Sequence, residues 1–410
     1  MLDLNSSFFS QCPECKWPKI ESSGLLFQGK HILTQHECPT CSLKFWSTLP
    51  IGHDRLFPIQ IAEESGKVYC EVKDQDWLSA PLAASLKSET SAVAEFKIIR
   101  PQTGNQAIFI NCLDSCFGHV FTKVWNAYLL KERYPQYSII VLISSQSEWL
   151  CPKEEVEVWS IGLPVNLLDQ KVEGLDSWIK SQLMRFEEVF LSQVPTHLNL
   201  ELGIKLEEVV KISRFPIKQF SKAPLKINFV LREDRFWHNS KWLDLGFKAA
   251  IKFKKLHLIK PFLLRRQNQL VQETVKLLLQ AFPQAEISVS GLGISGSFAQ
   301  PIQDQRVAEI HSDSEIQRNQ AYSHCQLVIG VHGSHMLVPT ALAAGFINLV
   351  PAYKLPHWVE DTLLPYQGRL LQWMGRFLNE FSSPQYLASH AIGMISGFDT
   401  IWTNLQEKGD

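Results

Sequence analysis

Two pairs of cysteines carry the most specific chemistry in this sequence. Cys12-Pro13-Glu14-Cys15 and Cys38-Pro39-Thr40-Cys41 are CxxC knuckles separated by 22 residues, close to the spacing of a zinc ribbon. Each knuckle turns two thiolates toward one tetrahedral ion, and Leu25 to Thr34 can supply a short hairpin between them. Four thiolates complete the shell and leave no place for a water, so the expected zinc is structural. Two disulfides, or free thiols, are the alternative. Lys16, Lys19, Lys30 and Lys44 are too few to argue a nucleic-acid surface, and docking or folding support is the role expected of the ribbon.

A second group of residues suits an anion. In QLVIGVHGSHMLVPTALAAGFINLVP, from Gln326 to Pro351, the apolar run Leu327 to Val331 has the pattern of a parallel strand buried on both faces. Ser334 is placed to cap a small-residue helix, Met336 to Ala344, which stops at Gly345, and Phe346 to Val350 predicts the next strand. The loop His332-Gly333-Ser334-His335 then joins a strand end to a helix start, where free N–H groups and the helix dipole favour a diphosphate. Upstream, Leu225 to Leu231 predicts a strand followed at once by Arg232-Glu233-Asp234-Arg235. A guanidinium matches two phosphate oxygens together, although a surface cluster of ion pairs is the other reading of these four charges. Glu315 and Gln317, at the start of a helix from Ser314 to His324 capped by Ser314 or Asp313, are expected near the same loop.

The Gln326 to Pro351 stretch resembles the donor-site segment of family-61 type glycosyltransferases and, more loosely, of fucosyltransferase-like enzymes. The likeness rests on a strand ending Gly330-Val331-His332-Gly333, a small-residue helix and an apolar strand ending Val350-Pro351, with the polar lead-in SEIQRNQAYSHC similar as well. Those families usually carry Ala-Gly where Ser334-His335 stands here. The resemblance implies the GT-B architecture: two Rossmann-like, doubly wound α/β domains with a nucleotide-sugar as co-substrate, here preceded by the zinc ribbon. It implies a hexosyl- or pentosyltransferase acting on an acceptor hydroxyl of a carbohydrate or glycoconjugate, with no metal in the catalysis. Arg232 is the position matched to the arginine that neutralises the leaving diphosphate, with Arg235 second. Gly118 fits the glycine that such enzymes place in the first loop of the amino-terminal domain. Asp114 and His119 beside it become candidates for the base that deprotonates the acceptor. Capping of the loop and the helix is their structural alternative. A scaffold that kept the fold and lost catalysis is the non-enzyme alternative.

The elements that must position these groups alternate along the chain. Ala107 to Cys112, Ser138 to Ile143 and Val156 to Ile161 predict strands, with a helix from Val120 to Arg133 between the first two. Leu175 to Gln193 predicts one long amphipathic helix, Phe215 to Ala223 an irregular hinge, Phe262 to Phe282 a helix and Ala285 to Ser290 a strand. The alternation argues for parallel sheets. Expected boundaries are 1–78 for ribbon and connector, 79–222 for the first Rossmann-like domain and 223–410 for the second. Ser383 to Gln406 would form final helices crossing back to the first domain, as in GT-B enzymes. Leu49 to Ser91 reads as the connector, and its Asp74-Gln75-Asp76 as a solvated turn rather than a metal-binding DxD.

Gly291-Leu292-Gly293-Ile294-Ser295-Gly296 matches GxGxxG after a strand, with Asp313 or Glu315 near the spacing of a ribose-binding acid. That leaves an NAD-dependent dehydrogenase as a lesser alternative, although Pro301 follows too soon for the motif to open a helix. The chain of 410 residues is 45% apolar and 20% charged, with a formal net charge of -1, which gives no electrostatic reason to expect nucleic acid. Met1-Leu2-Asp3-Leu4-Asn5 lacks the basic start of a signal peptide, and no apolar run reaches the ~18 residues of a membrane span. The expectation is a cytoplasmic protein.

Overall fold

The computed structural model describes residues 1–407 apart from 74, 153, 197–204, 359–361, 364, 365 and 367. Asp74 therefore lies outside the described residues, while Asp76 opens a helix, Asp76–Lys87. The chain forms two compact units, Met1–Ile204 and Lys205–Asp410.

The second unit is built on six parallel strands: Lys226–Arg232, Glu286–Leu292, Gln303–Asp304, Leu327–Val331, Gly345–Val350 and Gly375–Asn379. Numbered along the unit, they lie in the order 3-2-1-4-5-6 that characterises dinucleotide-binding α/β sheets. Ile227, Phe229 and Leu231 alternate onto one face, where the helices Leu256–Ala281 and Pro384–Ser396 cover them with Leu270, Val271, Leu387 and Ala391. Asn228 points the other way, bonding Ser288 and Ser290, and Tyr322 of the helix Ser312–Tyr322 reaches Ser290 at 2.9 Å. Helices thus pack on both faces. The final helices, Pro384–Ser396 and Phe398–Glu407, pack against Leu256–Ala281 and Gly368–Met374 of this same unit.

In the first unit, four parallel strands, Gln106–Asn111, Ser138–Ser144, Glu157–Ile161 and Glu188–Leu191, lie in the order 3-2-1-4. Leu2–Asp3 and Phe96–Ile99 close the two edges antiparallel. The long helix expected from Leu175 to Gln193 is half that length: it ends at Leu183, and Glu188–Leu191 becomes a strand paired parallel to Gln106–Asn111. Its aromatic spacing suits both periods over so short a stretch, and pairing beside the first strand decides the matter.

The cysteine knuckles belong to something larger than a ribbon. Phe9–Ser10, Ile20–Gln28, His31–Glu37, Lys44–Thr48, Ile59–Ala62 and Val68–Cys70 form a six-stranded antiparallel meander. The stretch read as a connector therefore supplies two strands and a helix, whose Leu78 and Leu82 pack on Leu33, Ile59 and Ile61. Phe27, Ile32, Leu49 and Ile51 of the meander share one core with Phe109 and Trp159 of the parallel sheet. The antiparallel sheet is docked by burial of its apolar face.

Candidate functional site

The four knuckle sulfurs converge as their spacing predicts. All lie within 4.8 Å of one another. Four sulfurs at the usual ~2.3 Å from one zinc would be separated by ~3.8 Å edges, and Cys12 Sγ lies 3.6 Å from Cys41 Sγ and Cys15 Sγ 3.4 Å from Cys38 Sγ. These are contacts of free thiols, not disulfides. The knuckles repeat each other's backbone: Lys16 N–H donates to Cys12 O and Ser42 N–H to Cys38 O, with φ of +63° at Lys16 and +57° at Ser42. Burial opposes ionisation of Cys38, yet the N–H groups of Cys41 and Thr40 bring its pKa down to about 6. Against backbone hydrogen bonds, burial and the neighbouring sulfurs push Cys15 up to about 12 and Cys41 upward, so without an ion one thiolate forms ahead of the others. The donor set fits a thiolate-bound zinc.

In the second unit the candidate anion site falls where the strand order reverses. The first strand ends at Arg232 and the fourth, its neighbour, at Val331, so Arg232-Glu233-Asp234-Arg235 and His332-Gly333-Ser334-His335 meet outside adjacent carboxyl ends. Such a switch point leaves a crevice in an open α/β sheet. The two arginines differ in what they touch. Arg232 is closed onto Asp234, with Nε–Oδ1 2.8 Å and Nη2–Oδ2 2.9 Å. Arg235 instead lies over Gly333: a Cβ there would stand 1.5 Å from Nη1. That nitrogen is shielded from solvent and has no hydrogen-bond partner among the described residues. Gly333 has φ 156° and ψ 177°, a region essentially closed to other residues.

His335 Nε2 is likewise shielded without a partner. Burial, then the charges of Arg235 and Arg232, hold the His335 pKa well below the ordinary imidazole value. His332 is fully buried, its Nδ1 3.1 Å from Asn348 Nδ2. Ser334 is buried in a single 3-10 turn, and the α-helix that follows, Leu337–Leu342, is six residues long, shorter than the one expected. The dipole of so short a helix contributes little, so the positive character of the loop comes from side chains. A further arginine, near Arg232, went unnoticed in the sequence. Arg318 donates to Gly291 O at 2.9 Å and pairs with Glu315, and burial together with nearby Arg232 lowers its pKa. Arginine on the inner side of a helix leading into the fourth strand was the available signal. That helix is capped by His311, with Ser314 as its reciprocal partner.

The GxGxxG segment does not open a helix. Gly291 and Gly293 adopt φ of +117° and +103°, letting the chain pass Leu231 O and the Glu233 side chain closely. Glu233 accepts from Ser295 N–H at 2.7 Å and pairs with Lys260 at 3.1 Å.

In the first unit, Asp114 and His119 are brought together just past the strand Gln106–Asn111, again where the order reverses. His119 Nδ1 lies 3.0 Å from Asp114 Oδ1 and 3.1 Å from His53 Nε2. Lys123, fully buried, donates to Asp114 Oδ2 at 3.1 Å and to Leu113 O at 2.9 Å. Although burial alone would raise it, Lys123 and His119 hold the Asp114 pKa well below the usual carboxylate value. Burial likewise opposes a charge on His119, but Asp114 and the Cys116 sulfur raise its pKa to about 10. Cys116, at the start of the helix Phe117–Arg133, is lowered to about 7 against its burial by His119. His53 and Lys123 lie 66 and 4 positions from His119 and carry no motif that would have marked them.

No protein-family model matches this chain, and no curated protein matches it. Among solved structures it is similar to a protein described as a UDP-N-acetylglucosamine 2-epimerase from Listeria monocytogenes. The identity is 8% and the TM-score 0.36, over 73% of this chain and 89% of that one. It is also similar to a glycosylation-associated protein complex from Streptococcus agalactiae, at 10% identity and a TM-score of 0.25, over 98% of this chain and 78% of that one.

Proposed function

We propose that the second unit binds a nucleoside diphosphate at its switch point, and that the protein is a glycosyltransferase drawing a hexosyl or pentosyl group from a nucleotide-sugar. The observation that supports this reading is the shielded Arg235 Nη1, which lies on Gly333 without an acceptor. A desolvated guanidinium N–H left unpaired is unfavourable by about 1–3 kcal/mol or more. A diphosphate oxygen at the same place would satisfy it. As the sugar departs, negative charge grows on the leaving diphosphate, and donors already fixed there stabilise the transition state more than the ground state. Arg232, Arg235, Arg318 and the backbone of Gly333 and Ser334 would supply that neutralisation without a catalytic metal. The likeness of the Gln326 to Pro351 stretch to family-61 type donor segments supports the same assignment.

The proposal extends to the first unit, where Asp114 and His119 form the couple that takes the acceptor's proton. The carboxylate orients the ring and, against its burial, holds it protonated to about pH 10. Only the molecules whose His119 has first lost its proton can accept one, and in those the carboxylate stabilises the imidazolium that transfer restores. Zinc held by Cys12, Cys15, Cys38 and Cys41 completes the reading as a structural ion.

Calorimetric titration with uridine and guanosine diphosphates, without divalent metal, tests the donor assignment. Binding by one of them is expected, and at ~100 times its dissociation constant that ligand should add about 2.7 kcal/mol of stability. Failure of both to bind would remove the assignment. Slow hydrolysis or transfer from a sugar nucleotide then separates an enzyme from an inactive scaffold, which would bind and not turn over.

A further inference from the structure

The helix Lys241–Lys252 shows water an apolar face that the core does not use. Its inner sector is accounted for: Ala250 is buried, and Leu243 and Phe247 pack with Leu256 and Ile259 on Phe236, Leu263 and Leu264. At ~100° per residue, Trp242, Leu245, Ala249 and Phe253 occupy a different sector. There Trp242 is 83% exposed, Leu245 60% and Phe253 67%. The next helix carries two further exposed apolar side chains, Leu258 at 64% and Phe262 at 58%, one turn apart. Large apolar side chains gathered on one exposed helix sector mark a contact rather than a solvated helix.

Charge decides what the contact is with. From Lys241 to Phe262 the sequence holds six lysines, Lys241, Lys248, Lys252, Lys254, Lys255 and Lys260, against Asp244 as the single acid, and of these lysines Lys260 is paired with Glu233 from outside the segment. Asp244 is itself tied to Lys248 at 2.6 Å. On the helical wheel Lys241, Lys248 and Lys252 border the exposed apolar sector on the side away from the core. Tryptophan, leucine and phenylalanine edged by lysines are what a helix lying in the plane of an anionic bilayer surface requires. No described helix is long and apolar enough to cross a membrane, so the contact would be interfacial.

We propose that the Lys241 to Phe262 segment docks the protein on an anionic phospholipid surface. Trp242, Leu245 and Phe253 enter the headgroup boundary and the bordering lysines meet the lipid phosphates. Co-sedimentation of the full chain with vesicles of phosphatidylcholine alone, and of phosphatidylcholine mixed with phosphatidylglycerol, tests this. The protein should pellet with the mixed vesicles only, and less so as salt is raised. Trp242→Ser with Phe253→Ser should weaken association roughly tenfold or more. Lys252→Gln with Lys255→Gln should lower it about thirtyfold. Both variants alter exposed side chains, so their melting temperatures and their nucleoside diphosphate titrations should match the parent. No association with the mixed vesicles, or variants that associate as well as the parent, would overturn the proposal. So would a self-associating chain that ignores vesicles and becomes monomeric on Trp242→Ser, which would assign the face to a second copy.

Discussion

Arg235 Nη1 and the α-carbon of Gly333 are so close that a methyl group on the glycine would stand 1.5 Å from the nitrogen. Two requirements therefore fall on one position: the backbone needs a conformation reserved for glycine, and the guanidinium needs the space. Gly333→Ala should lower stability by about 1–3 kcal/mol through backbone strain and also displace Arg235. Nucleoside diphosphate binding should be lost even where the folded fraction is preserved at low temperature. Normal affinity in a folded Gly333→Ala protein would show that this approach has no part in binding.

The two arginines of the first strand's exit can be separated experimentally. Arg235→Ala removes an unpaired donor and should reduce diphosphate affinity by about 1.5–3 kcal/mol, roughly ten- to a hundredfold. Arg232→Ala also frees Asp234, whose bidentate pairing it now satisfies. Its binding should weaken as well, and the released carboxylate should make the loss depend strongly on salt. Titration of each variant at low and high ionic strength provides the comparison.

Purification under reducing conditions should yield one zinc per chain, measured by metal analysis. Cys38→Ser should abolish stoichiometric zinc and lower the melting temperature, because one of the four ligands would be lost from a cluster in which Cys38 packs with Cys12, Ile20 and Phe45. A stable, metal-free parent protein would reduce the four cysteines to packed thiols.

Lys123 is fully buried with its ammonium on Asp114. Lys123→Ala would leave a buried carboxylate short of its main counter-charge and should destabilise the protein by about 3–5 kcal/mol. A urea denaturation curve shifted by less than about 1 kcal/mol would mean that His119 and the Cys116 N–H, which donates to Asp114 Oδ1 at 3.0 Å, suffice for Asp114.

The pH response of this cluster has a definite sign. His119 is raised from 6.5 to about 10, so its contribution to stability is complete below pH 6.5 and disappears as pH climbs through 10. Cys116, lowered from 9.0 to about 7, acts oppositely: its contribution is complete above pH 9 and is lost as pH falls through 7. The two offset each other between pH 7 and 9, and an alkaline decline should emerge above pH 9. His119→Asn should remove that decline in a melting series. If His119 is the base, the activity of the parent should rise over the same interval in which its stability falls, since the ring must first lose its proton.

Much of this protein was written locally. The two CxxC spacings mark four candidate ligands because a knuckle is a short turn whose geometry needs no distant partner. The strands around Gln106–Asn111, Ser138–Ser144, Lys226–Arg232 and Leu327–Val331 were legible because burial on both faces imposes a continuous apolar run. Local pattern also placed Arg232, Arg235 and the His332 to His335 loop after strands. It did not contain the order of those strands. Only the folded sheet makes the first and fourth neighbours, so that Arg235 reaches Gly333, 98 positions away, while Arg232 turns back on Asp234. The same holds for Glu188–Leu191, helical by its spacing and a strand by its pairing with Gln106–Asn111. Arg318, His53 and Lys123 entered their clusters from elements with no motif of their own. Periodicity tells a segment which face to bury, whereas the charges a side chain meets depend on contacts between residues far apart in sequence, and those exist only once the sheets have formed.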